Sequence, residues 1–297
     1  MVPGVHRRDH YHLFEVGHTL MSEEGHNYTF AGWPEMPWKR EENDGQRLTR
    51  AAVIIPNYNM PERTEKIVRW LEKNEDPLSY DLYVVDNGSD LVAPAYGTNV
   101  SLPRNRQTTL GILAGLDAAK LSEKFYFAYW VIITSTEFPD GQEGMLTNML
   151  DVMTRDARIA IMHPGLTDDS TTAWNHLKQH HGEIWNTWMV DNIAALYNAK
   201  WFDSIGWFDP LLTMAWGIDL ETCYKARQQD KRIVVDGRYQ VRKTTNIGYT
   251  MGRMNMSAEE RTELAHAQMA AILEARYGPT WHDKMYEEGV TDALRGV

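Results

Sequence analysis

The chain has 297 residues and a formal net charge of -11, with 43% hydrophobic and 24% charged residues. A chain of this length can bury a sizeable core, either as one large α/β domain or as two domains. The acidic balance argues against a broad surface for nucleic acid, because such a surface needs clustered lysine and arginine to contact phosphates.

Residues 1–48 are predicted to form an N-terminal arm. They are polar, with scattered His, Trp and Pro and little hydrophobic periodicity. The stretch HRRDHYH holds three histidines, which suit a metal ion, but no cysteine or acidic ligand set accompanies them, and a plain surface arm fits them too. Four aromatic residues between Tyr28 and Trp38 indicate that the arm packs on something.

From Ala51 onward, short apolar runs alternate with amphipathic segments. AAVIIP is typical of a buried strand, and PERTEKIVRWLEKN places its apolar residues on one helical face. Further strands are predicted in DLYVVD, FYFAYWVII and RIAIMHP, and further helices over 107–120 and in GMLTNMLDVMTRD. This alternation favours parallel βαβ units.

The second half begins with a polar loop or small subdomain over 165–188. A strand and a short helix are predicted in NIAALYNAKWFDSIG, a helix opening at WGIDLETCYKARQQ, and a strand in KRIVVDG. Ser257 and Glu260 form a capping box for a C-terminal helix that ends before Gly278. The predicted divisions are an arm (1–48), one α/β domain (49–255, with halves of about 49–140 and 141–255) and a helical extension (256–297).

The cellular compartment is inferred from the cysteine content and from the search for membrane-spanning and signal segments. Its single cysteine, Cys223, allows no disulfide within the chain and is typical of a reducing compartment. FYFAYWVII is too short to span a bilayer, and the N-terminus lacks the apolar core of a signal peptide. We therefore expect a cytoplasmic protein without a transmembrane segment.

In doubly wound sheets, ligands bind beyond the carboxyl ends of the strands. Three polar loops stand there: PNYNMPER, DNGSD and TSTEFPDG. Neither GxGxxG nor GxxxxGKS/T occurs, so the chain has no dinucleotide fingerprint and no P-loop.

Five motifs occur in order between about Ala51 and Val241: IIPNYNMPE, LYVVDNGSD, SLPRNRQTTLGILAGLDAAK, SIGWFDPLL and WGIDLETCYKAR. Together they resemble the family 2 glycosyltransferases, which are inverting enzymes with a GT-A fold. The resemblance implies a Rossmann-like, mostly parallel sheet flanked by helices. It also implies transfer from a nucleotide sugar, expected to be UDP-linked, to a hydroxyl of a glycan, lipid or protein acceptor. The net charge argues against a nucleic acid acceptor, and the oligomeric state stays open.

The resemblance assigns the donor side to the first loops. Pro56, Tyr58 and Asn87 would line a base pocket, in which the tyrosine ring packs on a uracil-like base. Asn87 followed by glycine is also the sequence of a tight turn, and Asp86 would either bind ribose or cap that turn. Arg106 would contact phosphate or lie solvated on the surface.

The family's metal motif is degenerate in this chain. Family members carry Asp-x-Asp or a close variant after the third strand, where it holds Mn²⁺ or Mg²⁺ on the diphosphate. Ser135, Thr136 and Glu137 stand at that place, which leaves Thr136 as a donor contact and Glu137 as the metal candidate, with Asp140 nearby. The family's later Val-x-His, whose histidine often completes the metal site, reads Val241-Arg242-Lys243 in this chain. Lys243 or Arg242 would neutralise the diphosphate directly, or Lys243 is a surface residue of a catalytically weakened relative. Metal-dependent and metal-independent reactions are both open.

The stretch WGIDLE carries the acceptor-side candidates. Asp219 matches the family's general base, which takes the proton of the attacking hydroxyl. On a helix Glu221 would point about 200° away, and it would serve the acceptor side or the positively charged helix N-terminus. Gly217 would let the backbone approach the sugar, and Trp216 would stack on the acceptor or pack in the core.

Two other classes of function stay open. A non-catalytic relative that binds nucleotide sugars or glycans is motivated by the missing Asp-x-Asp. A nucleotidyltransferase would need a Gly-rich basic loop after the first strand, which PNYNMPER lacks. Other residues with reactive side chains fit packing or loop positions equally well: His163, Asp168, Asp169, His180, His181 and Cys223.

Overall fold

The structure is a computed structural model that describes residues 50–179, 181–244 and 256–287, together with the backbone of three short strands before them. The predicted histidine-rich stretch HRRDHYH and His180 lie outside the described residues.

One mixed sheet runs through the described residues in the order β1-β2-β3-β6-β5-β4-β7-β11-β9-β12-β10, and β8 pairs with β12. The strands are β1 (Phe14–Val16), β2 (Thr19–Met21), β3 (Asn27–Phe30), β4 (Ala51–Asn57), β5 (Tyr80–Asp86), β6 (Thr98–Ser101), β7 (Ala128–Ile132), β8 (Thr136–Glu137), β9 (Ile159–Leu166), β10 (Ile184–Asn186), β11 (Ala194–Asn198) and β12 (Arg232–Lys243).

The described helices pack around this sheet. They are α1 (Pro61–Asn74), α2 (Gln107–Leu121), α3 (Met145–Arg155), α4 (Ala199–Ile205), α5 (Ile218–Arg227) and α6 (Ala258–Tyr277). A 3-10 turn (Asn175–Lys178) and a π-helical turn (Asp283–Glu287) complete the list. None of the described helices has the length and apolar character that crossing a membrane requires.

The centre of the sheet is apolar because helices cover both of its faces. Every residue of β4 is buried, and β4 pairs in parallel with β5 and β7. Helix α2 lies close to this strand, since a Cβ added at Gly115 would be 2.5 Å from Cγ2 of Ile54. Helix α1 starts at Pro61, whose fixed φ suits the first helical turn, and buries Ile67, Val68 and Leu71.

The predicted α/β sheet flanked by helices is confirmed, but the sheet is mixed. Its parallel pairs are β4–β5, β4–β7, β5–β6 and β9–β12, and its other described pairs are antiparallel. Strand β11 pairs antiparallel with β7 and β9, while β9 pairs in parallel with β12. The predicted capping box of Ser257 and Glu260 is also confirmed, and Gly278 ends α6.

Three expectations were incomplete. The N-terminal arm contains three short strands that extend the sheet beyond β6. Strand β12 continues past the predicted KRIVVDG to Lys243, because it crosses an irregularity in its pairing with β9 and then pairs with β8. Strands β6, β8 and β10 have too few residues to show a periodic pattern.

Candidate functional site

The first two polar loops meet at the carboxyl end of the sheet, as expected. Asn57 is the register partner of Asp86, and its Nδ2 lies 3.5 Å from Oδ1 of Asp86. The backbone NH of Ser89 donates to Oδ2 of Asp86 at 3.2 Å. Of its two predicted roles, Asp86 therefore shows the turn-capping one.

Asn87 ties the β5 loop to the start of α2. Its Nδ2 donates to the carbonyl of Gln107 at 2.9 Å, and its Oδ1 accepts from the backbone NH of Arg106 at 3.0 Å. The side chain is almost completely buried. Because both ends of the amide bind protein, Asn87 organises the loop in this structure rather than presenting a base-recognition edge.

Tyr58 and Pro56 differ in exposure. Pro56 is buried within β4, opposite Val85, and supports the loop from beneath. Tyr58 is half-buried, and its hydroxyl lies 3.3 Å from Oδ1 of Asp90. Of the three residues predicted to line a base pocket, Tyr58 is therefore the one with a partly exposed side chain.

The position of the metal motif falls on the short pair of strands β8 and β12. Thr136 is buried, and its hydroxyl donates to the carbonyl of Ile193 at 2.7 Å. Glu137 is half-exposed, and its carboxylate lies 3.2 Å from Nη1 of Arg242. Asp140 lines a separate groove of about 550 Å³ along α1. The Thr136 hydroxyl, which we expected to contact the nucleotide-sugar donor, therefore already donates its hydrogen bond to a backbone carbonyl.

Lys243 lies opposite Thr136 in the antiparallel register, and its ammonium contacts the carboxylate of Asp191. The Asp191 side chain is 9% exposed and that of Lys243 is 26% exposed. The next residue, Thr244, accepts a hydrogen bond of 2.9 Å from Arg63 in α1, which links the end of β12 to the donor-side loops.

Sequence reasoning missed Asp191. It lies in the loop that enters β11, after the apolar pair Met189 and Val190. The available signal was a carboxylate within a largely apolar stretch, since such a group needs a partner when it is buried.

Asp219 lies in the first turn of α5, where its Oδ1 accepts from the backbone NH of Leu220 at 2.8 Å. Burial and the negative charge of Asp191 raise the pKa of Asp219 to about 7, although Lys243 and the backbone hydrogen bond oppose the rise. A carboxyl group with a pKa near neutrality is suited to exchanging a proton with substrate.

Glu221 faces the opposite side of α5, which confirms that the two carboxylates do not share surroundings. It is fully buried and accepts 2.8 Å hydrogen bonds from Lys225, Arg276 and Tyr277, and Arg276 also pairs with Asp209. Burial opposes ionisation of Glu221, but Lys225, Tyr277 and Arg276 outweigh it and hold its pKa below the usual value. We call these five residues the helix clamp, because they join α6 to α5.

The clamp corrects the expectation for Glu221. No side chain caps the N-terminus of α5, and the carboxylate of Glu221 is enclosed by cations and a tyrosine instead of facing an acceptor. Its role in this structure is to attach the C-terminal helix.

Helix α6 also covers the turn that precedes Asp219. The Trp216 ring lies 4.4 Å from the ring of His266, centroid to centroid. Gly217 has a φ of 85°, and a Cβ added there would lie 2.7 Å from Cγ of Met269. The missing side chain of Gly217 therefore makes room for Met269, which corrects the expectation that it makes room for a sugar.

The π-helical turn after α6 brings an aromatic side chain near Asp219. Burial and the charge of Asp219 raise the pKa of Tyr286. Its ring centroid lies 5.9 Å from that of Trp174 and 6.0 Å from that of Trp188. Chain segments far apart in sequence thus build one wall beside the carboxylate.

The remaining reactive side chains fit packing or surface roles. Burial lowers the pKa of His163 to about 4 and raises that of the Cys223 thiol to about 12. His181 lies 3.2 Å from exposed Asp168, and Asp169 pairs with Arg242 at 2.9 Å.

No known protein-family model matches the chain, and no curated protein matches it. Among solved structures, it is similar to the mannosyltransferase PcManGT from Pyrobaculum calidifontis in complex with GDP-Man and Mn²⁺. The TM-score is 0.55 and the identity 16%, over 85% of this chain and 73% of that one. It is also similar to GalNAc-T7 with UDP, GalNAc and Mn²⁺, with a TM-score of 0.49 and 13% identity, over 67% of this chain and 44% of that one.

The chain has the GT-A fold. It spans less than half of the GalNAc-T7 chain. At 16% identity, similarity to PcManGT establishes the architecture alone, and the activity depends on the side chains at the carboxyl end of the sheet.

Proposed function

We propose that this protein transfers a glycosyl group from a nucleotide sugar to a hydroxyl acceptor, with inversion, and that Asp219 is the general base. The donor is expected to carry UDP, and the acceptor to be a glycan, lipid or protein.

The observation that carries this proposal is the placement of Asp219. Its carboxylate stands at the start of α5 in a GT-A fold, partly buried, with a pKa raised to about 7 by burial and by Asp191. A base must be ionised to accept a proton, yet basic enough to hold it, and a pKa close to the working pH meets both conditions.

The reaction needs one displacement. The acceptor oxygen attacks the anomeric carbon on the face opposite the nucleoside diphosphate, and a carbon–oxygen bond forms there. The bond between the anomeric carbon and the diphosphate oxygen breaks, and its electron pair leaves with the diphosphate. The proton of the acceptor hydroxyl passes to the carboxylate of Asp219. No acid is required for the leaving group if its negative charge is stabilised.

Donor binding is tested first by thermal shift with UDP, GDP, CDP and TDP and their common sugar conjugates, each with Mn²⁺ and with EDTA. Stabilisation by one nucleotide series would establish a donor site and identify the nucleobase that it prefers. If no nucleotide stabilises the protein under any condition, the proposed function is wrong.

The base is tested with Asp219→Asn. We expect transfer to fall by about 10²- to 10⁴-fold, the usual contribution of a general base, while nucleotide binding is retained. Asp151→Asn, a half-exposed carboxylate on α3, is the matched control and should keep full activity. Wild-type turnover by Asp219→Asn would remove Asp219 from the mechanism. Nucleotide binding by the wild type without turnover, across many acceptors, would support the non-catalytic alternative.

A further inference from the structure

The side chains at the position of the family's metal motif do not fit a hard divalent cation. Mn²⁺ and Mg²⁺ take several oxygen ligands, chiefly carboxylates and water. Ser135 is buried, and its carbonyl accepts from the backbone NH and hydroxyl of Thr244. The hydroxyl of Thr136 is used by Ile193, and Glu137 is paired with Arg242. Over the described ranges, no group of three His, Cys, Asp or Glu side chains is arranged to hold a metal ion.

Two cationic side chains occupy this place instead. The antiparallel register sets Arg242 opposite Glu137 and Lys243 opposite Thr136. Arg242 is neutralised from two sides, at 3.2 Å by Glu137 and at 2.9 Å by Asp169, and it is about half exposed. Lys243 is less exposed, so its charge acts through a less polar medium and is screened less by solvent.

The ammonium of Lys243 is held by Asp191. Asp191 comes from the loop before β11, and its nearly buried side chain keeps the lysine at the end of β12. Lys243 and Asp191 both act electrostatically on Asp219. Lys243 therefore lies within electrostatic range of the proposed base, and its register with Thr136 sets it at the position of the metal motif, where the family binds the diphosphate.

We propose that Lys243 replaces a divalent cation by binding the donor diphosphate directly, and that Asp191 holds its ammonium in place until the donor displaces the carboxylate. This inference rests on the proposed function, since it concerns the donor of that reaction. It commits the chain to the metal-independent alternative.

Two substitutions at this ion pair should have opposite effects on nucleotide binding. Asp191 and the diphosphate are both anions that compete for one ammonium group. Neutralising Asp191 should strengthen nucleotide binding, whereas removing Lys243 should weaken it. Binding is the appropriate measurement, because Asp191 also raises the pKa of Asp219 and its replacement would alter turnover for a second reason.

The experiment is isothermal titration of the full chain with UDP, GDP, CDP and TDP, in EDTA and in MnCl₂. The wild type should bind one of these nucleotides with the same affinity in both. Lys243→Met should weaken that binding by about tenfold to a hundredfold, the range for a charge-assisted hydrogen bond, and Lys243→Arg should restore most of it. Asp191→Asn should bind more tightly than the wild type. Lys120→Met breaks a lysine–aspartate pair far along α2 and should bind like the wild type.

Each other result has a defined meaning. Binding that requires Mn²⁺ overturns this inference and leaves the proposed function standing, whereas no binding in either buffer overturns the proposed function. Asp191→Asn binding no tighter than the wild type, with an unchanged thermal unfolding midpoint, shows that Asp191 does not compete for Lys243. If Lys243→Met lowers the thermal unfolding midpoint, the comparison uses Lys243→Arg and Asp191→Asn instead. Nucleotide binding that is weakened or sensitive to EDTA in both of these variants overturns the inference.

Discussion

The first turn of α5 presents two carboxylates to opposite surroundings. Glu221 faces the helix clamp, where a lysine, an arginine and a tyrosine satisfy a fully buried side chain. Asp219 faces the end of β12, where another carboxylate, Asp191, takes the contact with the available lysine. Burial raises the pKa of both groups, but the clamp reverses that effect at Glu221, and Asp191 adds to it at Asp219.

The difference shows that one short motif supplies both a structural carboxylate and a carboxylate suited to proton exchange. A buried carboxylate with three donors is locked in its ionised form and can hold a structure together. A partly buried carboxylate with one backbone donor and a like charge nearby is poised to take up a proton. Glu221 attaches α6, and α6 in turn fixes the turn that carries Asp219.

The largest effect is expected when the clamp is broken. Glu221→Ala leaves Lys225 without its buried partner and Arg276 with Asp209 alone, and removal of one member of a buried ion pair costs about 3–5 kcal/mol of unfolding free energy. Urea denaturation measures it. Glu65→Ala, on the exposed face of α1, is the control and should leave the unfolding free energy nearly unchanged. A small change for Glu221→Ala would mean that the clamp does not stabilise the fold.

The pH dependence of the two carboxylates should have opposite sign. The raised pKa of Asp219 means that its stabilising contribution is complete below the unfolded value of about 4 and is lost as pH rises through about 7. Asp219→Asn should therefore gain stability over the wild type between pH 4 and 7, by at most about 1.4 kcal/mol per pH unit.

The lowered pKa of Glu221 reverses this sign. Its contribution is complete above its unfolded pKa of about 4.3 and is lost as pH falls through the folded value. The destabilisation caused by Glu221→Gln should thus shrink in acid. Urea titrations of both variants at a series of pH values measure the two slopes, and parallel curves would contradict the contrast.

A smaller effect should isolate the packing of α6 on the turn. Gly217→Ala and Gly141→Ala both place a side chain at positive φ, but only the first meets another residue, Met269. The strain at positive φ is common to both, so the difference in unfolding free energy reports the overlap, expected at about 1–3 kcal/mol. Equal losses would show that Met269 gives way at no cost.

Much of the fold could be predicted because its signals are local. The apolar run of β4, the amphipathic pattern of α1 and the capping box of α6 each lie within a few consecutive residues, and all three are confirmed. The short strands β6, β8 and β10 could not be predicted, since their pairing partners rather than their own residues define them.

The candidate site could be predicted only in part from such local signals. The order of motifs singled out Asp219 and Lys243, and the carboxyl ends of parallel strands indicated where the loops meet. The sequence did not reveal that the side chains of Asn87 and Thr136 bind backbone carbonyls. Their partners, Gln107 and Ile193, come from other segments of the chain.

By itself, the sequence determined the alternation of strands and helices, the edge of the sheet that holds the polar loops, and the presence of two carboxylates about 200° apart in one helical turn. Only the tertiary structure decided which carboxylate is locked and which is poised. Arg276 lies 55 residues beyond Glu221, and Asp191 lies 52 residues before Lys243. The charge state of a buried group depends on such neighbours in space, which no local pattern encodes.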